Sequence, residues 1–383
     1  MADETTPGKS TDTPKSGKSG AARLGKIFKA AVKNGASDIH LKAGAPPRFR
    51  IGGIIRLAAS DPLANEDLEE MVLDSMDSDK ARKFLEEGSM DFAYQLPGSN
   101  RFRVNVFRQR GLVSVAARKI PTEILDYAKL HLPPILEDVA KLHQGLILVA
   151  GITGSGKSTT IAAMIEQINQ TRGCHIVTVE DPIEFLYEDK KSFVNQREIG
   201  LDVPNFHEAL KYLMREDPDV VLIGEMRDQE TFSAALHAAE SGHLCFGTVH
   251  ASNAGSTITR VLELFPEEAR ELVRTSLVFN LQAVVCLKLL VGIRKDIPRI
   301  PAAEILIVNS TVRKLIAEGR EGEIINVIKA SYGEGMQDFN ESLRKLVQEE
   351  FISTKTGYDA APNPDELKMR LKGIQVSGGG IIG

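Results

Sequence analysis

The sequence predicts an α/β protein of two domains, and three observations support this prediction. The chain has 383 residues, enough for two ordinary hydrophobic cores. After residue 134, short apolar runs that suit buried strands alternate with helical patterns, as a mostly parallel sheet requires. Prolines at 119–134 interrupt regular structure and predict a linker between this part and a smaller α/β region before it.

Both ends of the chain are predicted to lack a fixed structure. Residues 1–20 are rich in Thr, Ser, Pro, Gly and Lys, so they cannot offset the entropy of ordering. We expect a disordered tail there, without the apolar core of a signal peptide, and a flexible Gly-rich tail at 373–383.

The first domain is predicted at 21–118. It begins with an amphipathic helix whose apolar face includes Leu24 and Phe28, and a second helix is expected at about 65–87. Its strands are predicted at 37–41, 49–57, 90–95, 101–109 and 112–117. Because strand 101–109 alternates apolar and polar residues, one exposed face should carry Arg101, Arg103 and Asn105.

The second domain, at 135–372, contains the sequence GITGSGKST at 151–159, which fits the phosphate-binding pattern G-x-x-x-x-G-K-[ST]. An apolar strand-like run precedes it and an amphipathic helix pattern follows, which is the context that the pattern requires. Lys157 should neutralise β- and γ-phosphate oxygens of ATP, and the Ser158 hydroxyl should bind Mg²⁺. The residues expected to hold the phosphates are Thr153, Gly154, Ser155, Gly156, Lys157, Ser158 and Thr159.

Further strands are predicted at 175–179, 220–223, 244–249 and 302–308, and the last part, at 324–371, is expected to be mainly helical. An apolar stretch at 277–293 contains Asn280, Gln282 and Lys288. It should therefore make a poor membrane span, and we expect an amphipathic or core helix there.

Acidic residues follow two of these strands, at the place where an α/β sheet binds its ligands. Strand 175–179 is followed by Glu180, Asp181 and Glu184, any of which could orient water or hold Mg²⁺; Asp181 and Glu184 could instead be turn or capping residues. Strand 220–223 is followed by Glu225, as in a Walker B element. Gly224 stands where many P-loop enzymes have an Asp that helps to bind Mg²⁺. Glu225 and the earlier carboxylates therefore become the candidate Mg²⁺ ligands, in part through water.

Two histidines flank the strand at 244–249. Their odd spacing puts the rings of His243 and His250 on opposite faces of a regular strand, which argues against a shared metal. We favour His250 as a γ-phosphate contact and His243 as structural support or part of a subunit interface. A purely structural role is the alternative for each.

Phosphoryl transfer needs more positive charge than one lysine supplies. Two candidate arginines flank the Walker B strand and could act within the chain, whereas those of the first domain could act across a subunit boundary. The alternative is a solvated surface side chain. The candidates are Arg101, Arg103, Arg118, Arg215, Arg227 and Arg260.

Composition excludes several classes of protein. A net charge of −5 and the absence of Trp give no sign of a nucleic-acid surface, and Phe and Tyr together are only 21 of 383 residues. A nucleic-acid translocase is therefore a weaker alternative. The three cysteines are far apart and form no C-x-x-C, which argues against disulfides and structural zinc and favours a cytoplasmic location. They are Cys174, Cys245 and Cys286.

Together and in this order, five segments resemble the secretion-type P-loop ATPases and, within them, the type IV pilus retraction ATPases (PilT and PilU proteins). The resemblance covers about residues 24–372. The segments are 36–41 in the first domain, the P-loop at 151–159, the Asp box at 179–185, the Walker B region at 215–228 and the His box at 241–250.

The resemblance implies a PAS-like first domain joined flexibly to a RecA-like ATPase domain with a helical C-terminal region. It also implies a homo-hexameric ATP- and Mg²⁺-dependent motor at the cytoplasmic face of the inner membrane. Its partners would be a pilus platform protein and a paralogous retraction ATPase. Glu184 becomes the favoured general base, Glu225 the Walker B acid and His250 the γ-phosphate sensor. Arg101, Arg103 and Arg118 match first-domain arginines that reach the nucleotide.

Two segments depart from the family pattern. Ile152 replaces the usual Pro of the P-loop. Segment 309–319 matches the retraction signature A-I-R-N-L-V-R-E-G only in part, because it keeps Arg313 but has Ala317 in place of the second Arg. The choice between a PilT-like motor and a PilU-like accessory subunit therefore stays open.

Overall fold

The computed structural model describes residues 19–97 and 100–374, which divide into two compact units after Pro121. The tails predicted at 1–20 and 373–383 lie largely outside the described residues. Ser19 and Gly20, which the prediction placed in the first tail, begin a helix instead.

The first unit combines helices with one antiparallel sheet. Its elements, in chain order, are α1 (Ser19–Lys33), β1 (Asp38–Lys42), β2 (Arg48–Ile51), β3 (Ile54–Leu57), α2 (Asn65–Leu73), α3 (Ser78–Glu87), β4 (Ser89–Gln95), β5 (Arg101–Gln109) and β6 (Leu112–Lys119). The strand order is β3-β2-β1-β6-β5-β4, and every neighbouring pair is antiparallel.

The core of this unit lies where the helices cover the sheet. Phe28 of α1 packs against Phe102 of β5 and edge-on against Tyr94 of β4, with ring centroids 4.6 and 5.1 Å apart. Both phenylalanines are buried almost completely. The predicted amphipathic helix and the alternating strand at 101–109 thus both contribute to this core.

Two predicted elements of the first unit are each divided in the structure. The strand predicted at 49–57 is a hairpin, because Gly52 and Gly53 turn the chain with φ of 58° and 82°. The helix predicted at 65–87 is two helices, and the Asp77 side chain caps the second by accepting from the Lys80 amide.

The second unit contains the P-loop and a larger sheet. Its elements are α4 (Ile135–Ala140), β7 (Gly145–Ala150), α5 (Lys157–Thr171), β8 (His175–Glu180), β9 (Phe193–Glu198), α6 (Phe206–Leu213), β10 (Val220–Ile223), α7 (Gln229–Glu240), β11 (Leu244–Val249), α8 (Ala254–Glu263), α9 (Glu267–Asn280), β12 (Leu281–Val291), β13 (Arg299–Ile307), α10 (Ser310–Ala317), α11 (Ile324–Ala330), α12 (Phe339–Gln348), α13 (Thr354–Ala360) and α14 (Pro364–Leu371), with short 3₁₀ turns at Glu321–Glu323 and Tyr332–Glu334.

This sheet has seven strands in the order β13-β12-β7-β11-β10-β8-β9, and only the pair β12–β13 is antiparallel. Apolar cores lie on both faces of the sheet. Strands β7, β10 and β11 are buried throughout, which explains their continuous apolar sequences. Since parallel strands end at the same edge, the segments after β7, β8, β10 and β11 meet there. The predicted α/β class, with a helical C-terminal region, is confirmed.

Two strands of the second unit did not follow the sequence prediction. The prediction of a helix at 277–293 is wrong, because α9 ends at Asn280 and strand β12 runs from Leu281 to Val291. A buried apolar run fits helix or strand equally well by periodicity. Strand β9 was not predicted, because it is a partly exposed edge strand of mixed polarity. Among the described residues, we find no helix whose length and apolar character would let it cross a membrane.

Candidate nucleotide site

The phosphate-binding loop joins β7 to α5, as its sequence predicts. Gly151 has φ of 149°, and a Cβ there would lie 2.4 Å from the Ser155 Oγ, so only glycine fits. Lys157 begins α5, and its Nζ donates to the carbonyl oxygens of Gly151 at 2.9 Å and Ile152 at 3.2 Å. The ammonium group therefore lies across the loop, beside the first amides of the helix.

Two carboxylates lie close enough to Lys157 to affect its ionisation. Burial lowers the pKa of Lys157, while the negative charges of Glu225 and Glu184 act in the opposite direction. The structure thus brings together the P-loop lysine, Glu225 after β10 and Glu184 in the loop after β8. Ser158 and Thr159 follow Lys157 in the first turn of α5.

The Glu225 carboxylate is shared between two side chains of the site. Arg227 binds both of its oxygens, with Nε 2.5 Å from Oε1 and Nη2 2.5 Å from Oε2. His250, which follows β11, places Nε2 3.0 Å from Oε1. The hydrogen bond from Arg227 is the main reason why the pKa of Glu225 is lowered. Glu225 is therefore held in its ionised form.

The ends of β10 and β11 are fixed to each other near this carboxylate. Thr248 Oγ1 donates to the Gly224 carbonyl at 2.6 Å, and the Met226 amide donates to the Thr248 carbonyl at 3.1 Å. The Met226 side chain covers Gly247, where a Cβ would lie 2.1 Å from Met226 Cε. Sequence reasoning did not identify Thr248, Met226 or Gly247, since none of them has an ionisable side chain.

Gly224 also has a steric role. A Cβ at this position would lie 3.2 Å from the Glu180 Cα and 3.2 Å from the Val179 carbonyl oxygen, on the neighbouring strand β8. An Asp at position 224 would therefore require the backbone of either β8 or position 224 itself to shift.

Glu180 does not lie where the sequence prediction put it. As a candidate Mg²⁺ ligand it should face the nucleotide, yet it is only 8% exposed. Its Oε1 accepts from Thr178 Oγ1 at 2.7 Å and from Gln196 Nε2 at 3.2 Å. Burial raises its pKa. Because its oxygens are already bonded inside the domain, we assign Glu180 to the support of the loop rather than to the metal.

Two acids that follow Glu180 in the chain, Asp181 and Glu184, are exposed at the same edge. Asp181 is close enough to Arg227 to raise the pKa of that guanidinium, although Glu225 is the larger cause. Glu184 is exposed as well. Gln196 on β9 bonds to the loop that carries both acids, and sequence reasoning missed it together with its strand.

Within residues 19–97 and 100–374, no group of three or more His, Cys, Asp or Glu side chains is arranged to hold a metal ion. Mg²⁺ in nucleotide sites usually keeps several waters and takes one or two protein oxygens plus phosphate. The Ser158 hydroxyl at the start of α5 and the ionised Glu225 carboxylate fit that requirement as a donor set.

Two predicted arginines and one histidine lie away from this cluster. Arg215 precedes β10, so it lies at the amino edge of the sheet, opposite the P-loop, and its guanidinium lies over the Tyr212 ring. The structure therefore does not bring Arg215 to the nucleotide of its own subunit. Arg260 lies near the end of α8 and pairs with Glu263 at 3.1 Å. His243 precedes β11, and its Nδ1 lies 3.0 Å from the Ala238 carbonyl, a structural role.

The three candidate arginines of the first unit lie on adjacent strands. Arg103 of β5 is directly opposite Arg118 of β6. Arg118 donates from Nε to Asp38 Oδ1 at 2.8 Å. Arg101 lies two residues before Arg103 on the same face and is half-buried. The basic face that the sequence predicts is therefore present, with one of its charges held by a buried aspartate.

The chain matches the family described as Type II/IV secretion system protein over residues 18–355. It is 42% identical to the type IV pilus retraction ATPase PilT of Pseudomonas aeruginosa, over 88% of this chain and 97% of that protein. It is 36% identical to the type IV pilus ATPase PilU of the same organism, over 91% of each chain.

A solved structure of the pilus retraction motor PilT with bound ADP superposes with a TM-score of 0.84 at 44% identity, covering 90% of this chain and 98% of that one. The P-loop, the acids that follow its neighbouring strands and these similarities agree with one another. The chain belongs to the family of Type II/IV secretion system proteins and, within it, to the PilT and PilU group of ATPases.

Proposed function

We propose that the protein is an ATP-driven motor that powers retraction of a type IV pilus, and so twitching motility. The observation that carries the chemical part of this proposal is the set of charged groups around Lys157. Glu184 and Glu225 both act on this ammonium, and Glu225 is bonded to Arg227 and His250. The pilus part is supported by the 42% identity to PilT.

Each group has a distinct role in the proposed hydrolysis. Lys157 and the loop amides stabilise the charge that develops on the phosphate oxygens as the terminal phosphoryl group leaves. Glu225 is held ionised by Arg227, so it suits electrostatic orientation of water and metal better than proton uptake. Glu184, exposed at the same edge, is the proposed general base for the attacking water.

We propose that His250 reports on the terminal phosphate. Its ring lies 3.0 Å from the Glu225 carboxylate at the end of β11, so a change at the phosphate would be transmitted to the same carboxylate. Mg²⁺, when bound to Ser158 and to Glu225 directly or through water, would neutralise phosphate charge, and Asp181 is a further candidate for its water shell.

The assembly and its partners are also proposals. We propose a homo-hexamer in which Arg101, Arg103 and Arg118 add positive charge at the nucleotide, a proposal supported by their shared face. Arg227 lies in the site, and Arg260 stays a weaker candidate. We further propose a pilus platform protein of the inner membrane as the partner, which would hold the motor at the cytoplasmic face of that membrane.

The test combines enzymology with motility. Purified protein should hydrolyse MgATP as a ring-sized particle, and Lys157→Ala should abolish turnover. In a strain that lacks its own retraction ATPase, the wild-type gene should restore twitching and the Lys157→Ala gene should not. Turnover without any restored retraction would reject the pilus assignment while leaving the ATPase intact.

A second candidate function is that of an accessory PilU-like subunit. It is favoured by segment 309–319, which keeps only one arginine of the retraction signature. In the structure Arg313 donates to the carbonyl oxygens of Val278 and Phe279 at the end of α9. Restored twitching only when a PilT protein is also present would select this candidate.

A further inference from the structure

The loop at 181–187, which carries Glu184, is held by a side chain of the neighbouring strand. Gln196 lies on β9 and uses both ends of its amide. Its Oε1 accepts from the Tyr187 backbone amide at 3.0 Å, and its Nε2 donates to the Phe185 carbonyl at 2.8 Å. The same Nε2 also lies 3.2 Å from Glu180 Oε1. One side chain thus binds the backbone directly after Glu184 and the carboxylate before it.

Buried carboxylates hold the other side of the loop. Glu180 Oε2 accepts from the Glu184 backbone amide at 3.4 Å, and Glu198 Oε2 accepts from the Ile183 amide at 3.4 Å. These two glutamates are 8% and 7% exposed. Because Gln196 donates to Glu180, it also orients the acceptor of the Glu184 amide. The backbone on both sides of Glu184 is therefore tied to β8 and β9.

The Glu184 carboxylate itself has no comparable support. Within the described part of the chain, no hydrogen bond or ion pair holds its oxygens, and the side chain is exposed. Its position depends on the backbone that carries it. A displacement of about 1 Å at a reacting group can reduce a rate about 100-fold.

We propose that Gln196 is a positioning residue for ATP hydrolysis, which fixes the loop at 181–187 so that Glu184 meets the attacking water. This inference rests on the proposed role of Glu184 as the general base. Gln196 bonds to the loop backbone and to Glu180, so it acts on Glu184 through the backbone.

A merely structural role predicts a different outcome. Strand β9 is paired with β8 by a parallel ladder of backbone hydrogen bonds from His175 and Phe193 to Glu180 and Glu198. The ladder does not depend on the Gln196 side chain. Loss of its amide should therefore leave the strand in place and release only the loop.

The experiment is single-turnover hydrolysis of MgATP by the full-length protein, with the Kd for a fluorescent ATP analogue measured on each variant. Gln196→Met keeps the length and volume of the side chain and removes all three hydrogen bonds. Asn195→Ala is the matched control, because it removes an amide from the same strand that bonds to His175 Nε2 at 2.8 Å and not to the loop.

We expect Gln196→Met to slow the single-turnover rate by about 10- to 100-fold, with nucleotide affinity within about twofold of wild type. Asn195→Ala should stay close to the wild-type rate. In a Glu184→Gln background, Gln196→Met should cause little further loss, because it acts through Glu184. If Gln196→Met does not fold, Gln196→Ala takes its place, since it also removes the amide that binds Phe185, Tyr187 and Glu180.

Two results would overturn the inference. One is a wild-type rate for Gln196→Met, or for Gln196→Ala in its place, while Glu184→Gln is inactive. The other is an equal loss from the Gln196 substitution with and without Glu184. A wild-type rate for Glu184→Gln alone would instead remove the base assignment itself, so the two failures can be told apart.

Discussion

Arg227 binds both carboxylate oxygens of Glu225, which lies two residues earlier in the chain. It thereby holds the Glu225 carboxylate ionised near the P-loop lysine, Lys157. The guanidinium is mostly exposed, whereas Glu225 is only 25% exposed. The pair therefore sets the charge of the site more than it contributes to the stability of the fold.

Arg227→Gln should make hydrolysis more sensitive to acid. The folded-state pKa of Glu225 is lowered mainly by Arg227, so its ionised form persists to lower pH in the wild type. Without Arg227 this pKa rises, and the acid limb of the kcat/KM profile should move to higher pH. Thermal stability at pH 7 should fall by no more than about 1 kcal/mol.

The profile should be measured from about pH 4 to 8, so that it spans the ordinary glutamate pKa of 4.5. Arg82→Gln is the control, because it breaks an exposed ion pair with Asp79 in the first unit. An unchanged acid limb in Arg227→Gln would mean that Glu225 ionisation does not limit the rate.

Glu304→Gln should stabilise the protein above neutral pH. Glu304 is buried on β13, where it accepts from the Ala254 amide at the start of α8, and burial raises its pKa to about 7 from an ordinary 4.5. A raised carboxyl pKa means that the folded state binds the proton more tightly. The wild type therefore loses stability as pH rises from about 4.5 through 7, by at most about 3 kcal/mol.

The Gln variant lacks this titration, so its melting temperature relative to wild type should increase between pH 5 and pH 8. Calorimetry at both values tests this, with Glu271→Gln as an exposed carboxyl control. A constant difference between the two pH values would contradict the prediction.

Gly247→Ala should disturb the Walker B region through Met226. The added methyl would lie 2.1 Å from Met226 Cε, so the methionine must move, and overpacking of this kind costs about 1–3 kcal/mol. Because Met226 follows Glu225 directly, ATPase activity should fall as well. Urea denaturation and steady-state turnover measure the two effects.

Met226→Ala in the same chain should restore part of both losses, since it removes the obstructing side chain. Gly322→Ala is the matched control, because a Cβ there meets nothing within 4 Å. Absence of any rescue would show that the loss at position 247 has another origin.

Arg118→Gln and Arg103→Gln should separate stability from catalysis. Of these two arginines, only Arg118 pairs with Asp38, which is 8% exposed and also pairs with Arg50 at 3.5 Å. Only the loss of Arg118 should therefore destabilise the first unit, by about 1 kcal/mol. If both arginines serve the nucleotide, both variants should slow turnover. Thermal unfolding and kcat/KM on the two variants test this, and equal unfolding temperatures would exclude a stabilising role for the Asp38 pair.

The sequence was most informative where the chain repeats a pattern along a regular element. The strand before the P-loop, the helix after it and the acid at Glu225 could be placed because buried parallel strands are continuously apolar and their ends bind ligands. The alternating strand at 101–109 gave the basic face by the same kind of argument.

Three predictions differ from the structure for physical reasons: those for Glu180, for Arg215 and for the helix at 277–293. Whether Glu180 faces the nucleotide or the interior depends on Gln196, which lies on a strand that the sequence did not reveal. The edge of the sheet at which Arg215 lies depends on the direction of strand β10. The prediction of a helix at 277–293 was wrong because a largely buried strand is apolar at nearly every position and so lacks the alternation that would identify it. Contacts between elements distant in sequence decide each of these cases.

The close approach of Gly224 to the Glu180 backbone links two positions 44 residues apart in the chain. An enzyme of this architecture with a side chain at position 224 would need a wider spacing between β10 and β8. Because the closest contacts are to backbone atoms, no side-chain change at position 180 would relieve them, and the preference for glycine at 224 should persist whatever residue stands at 180. Replacing the glycine alone would press its new Cβ against the β8 backbone, so the spacing of the sheet disfavours that single step.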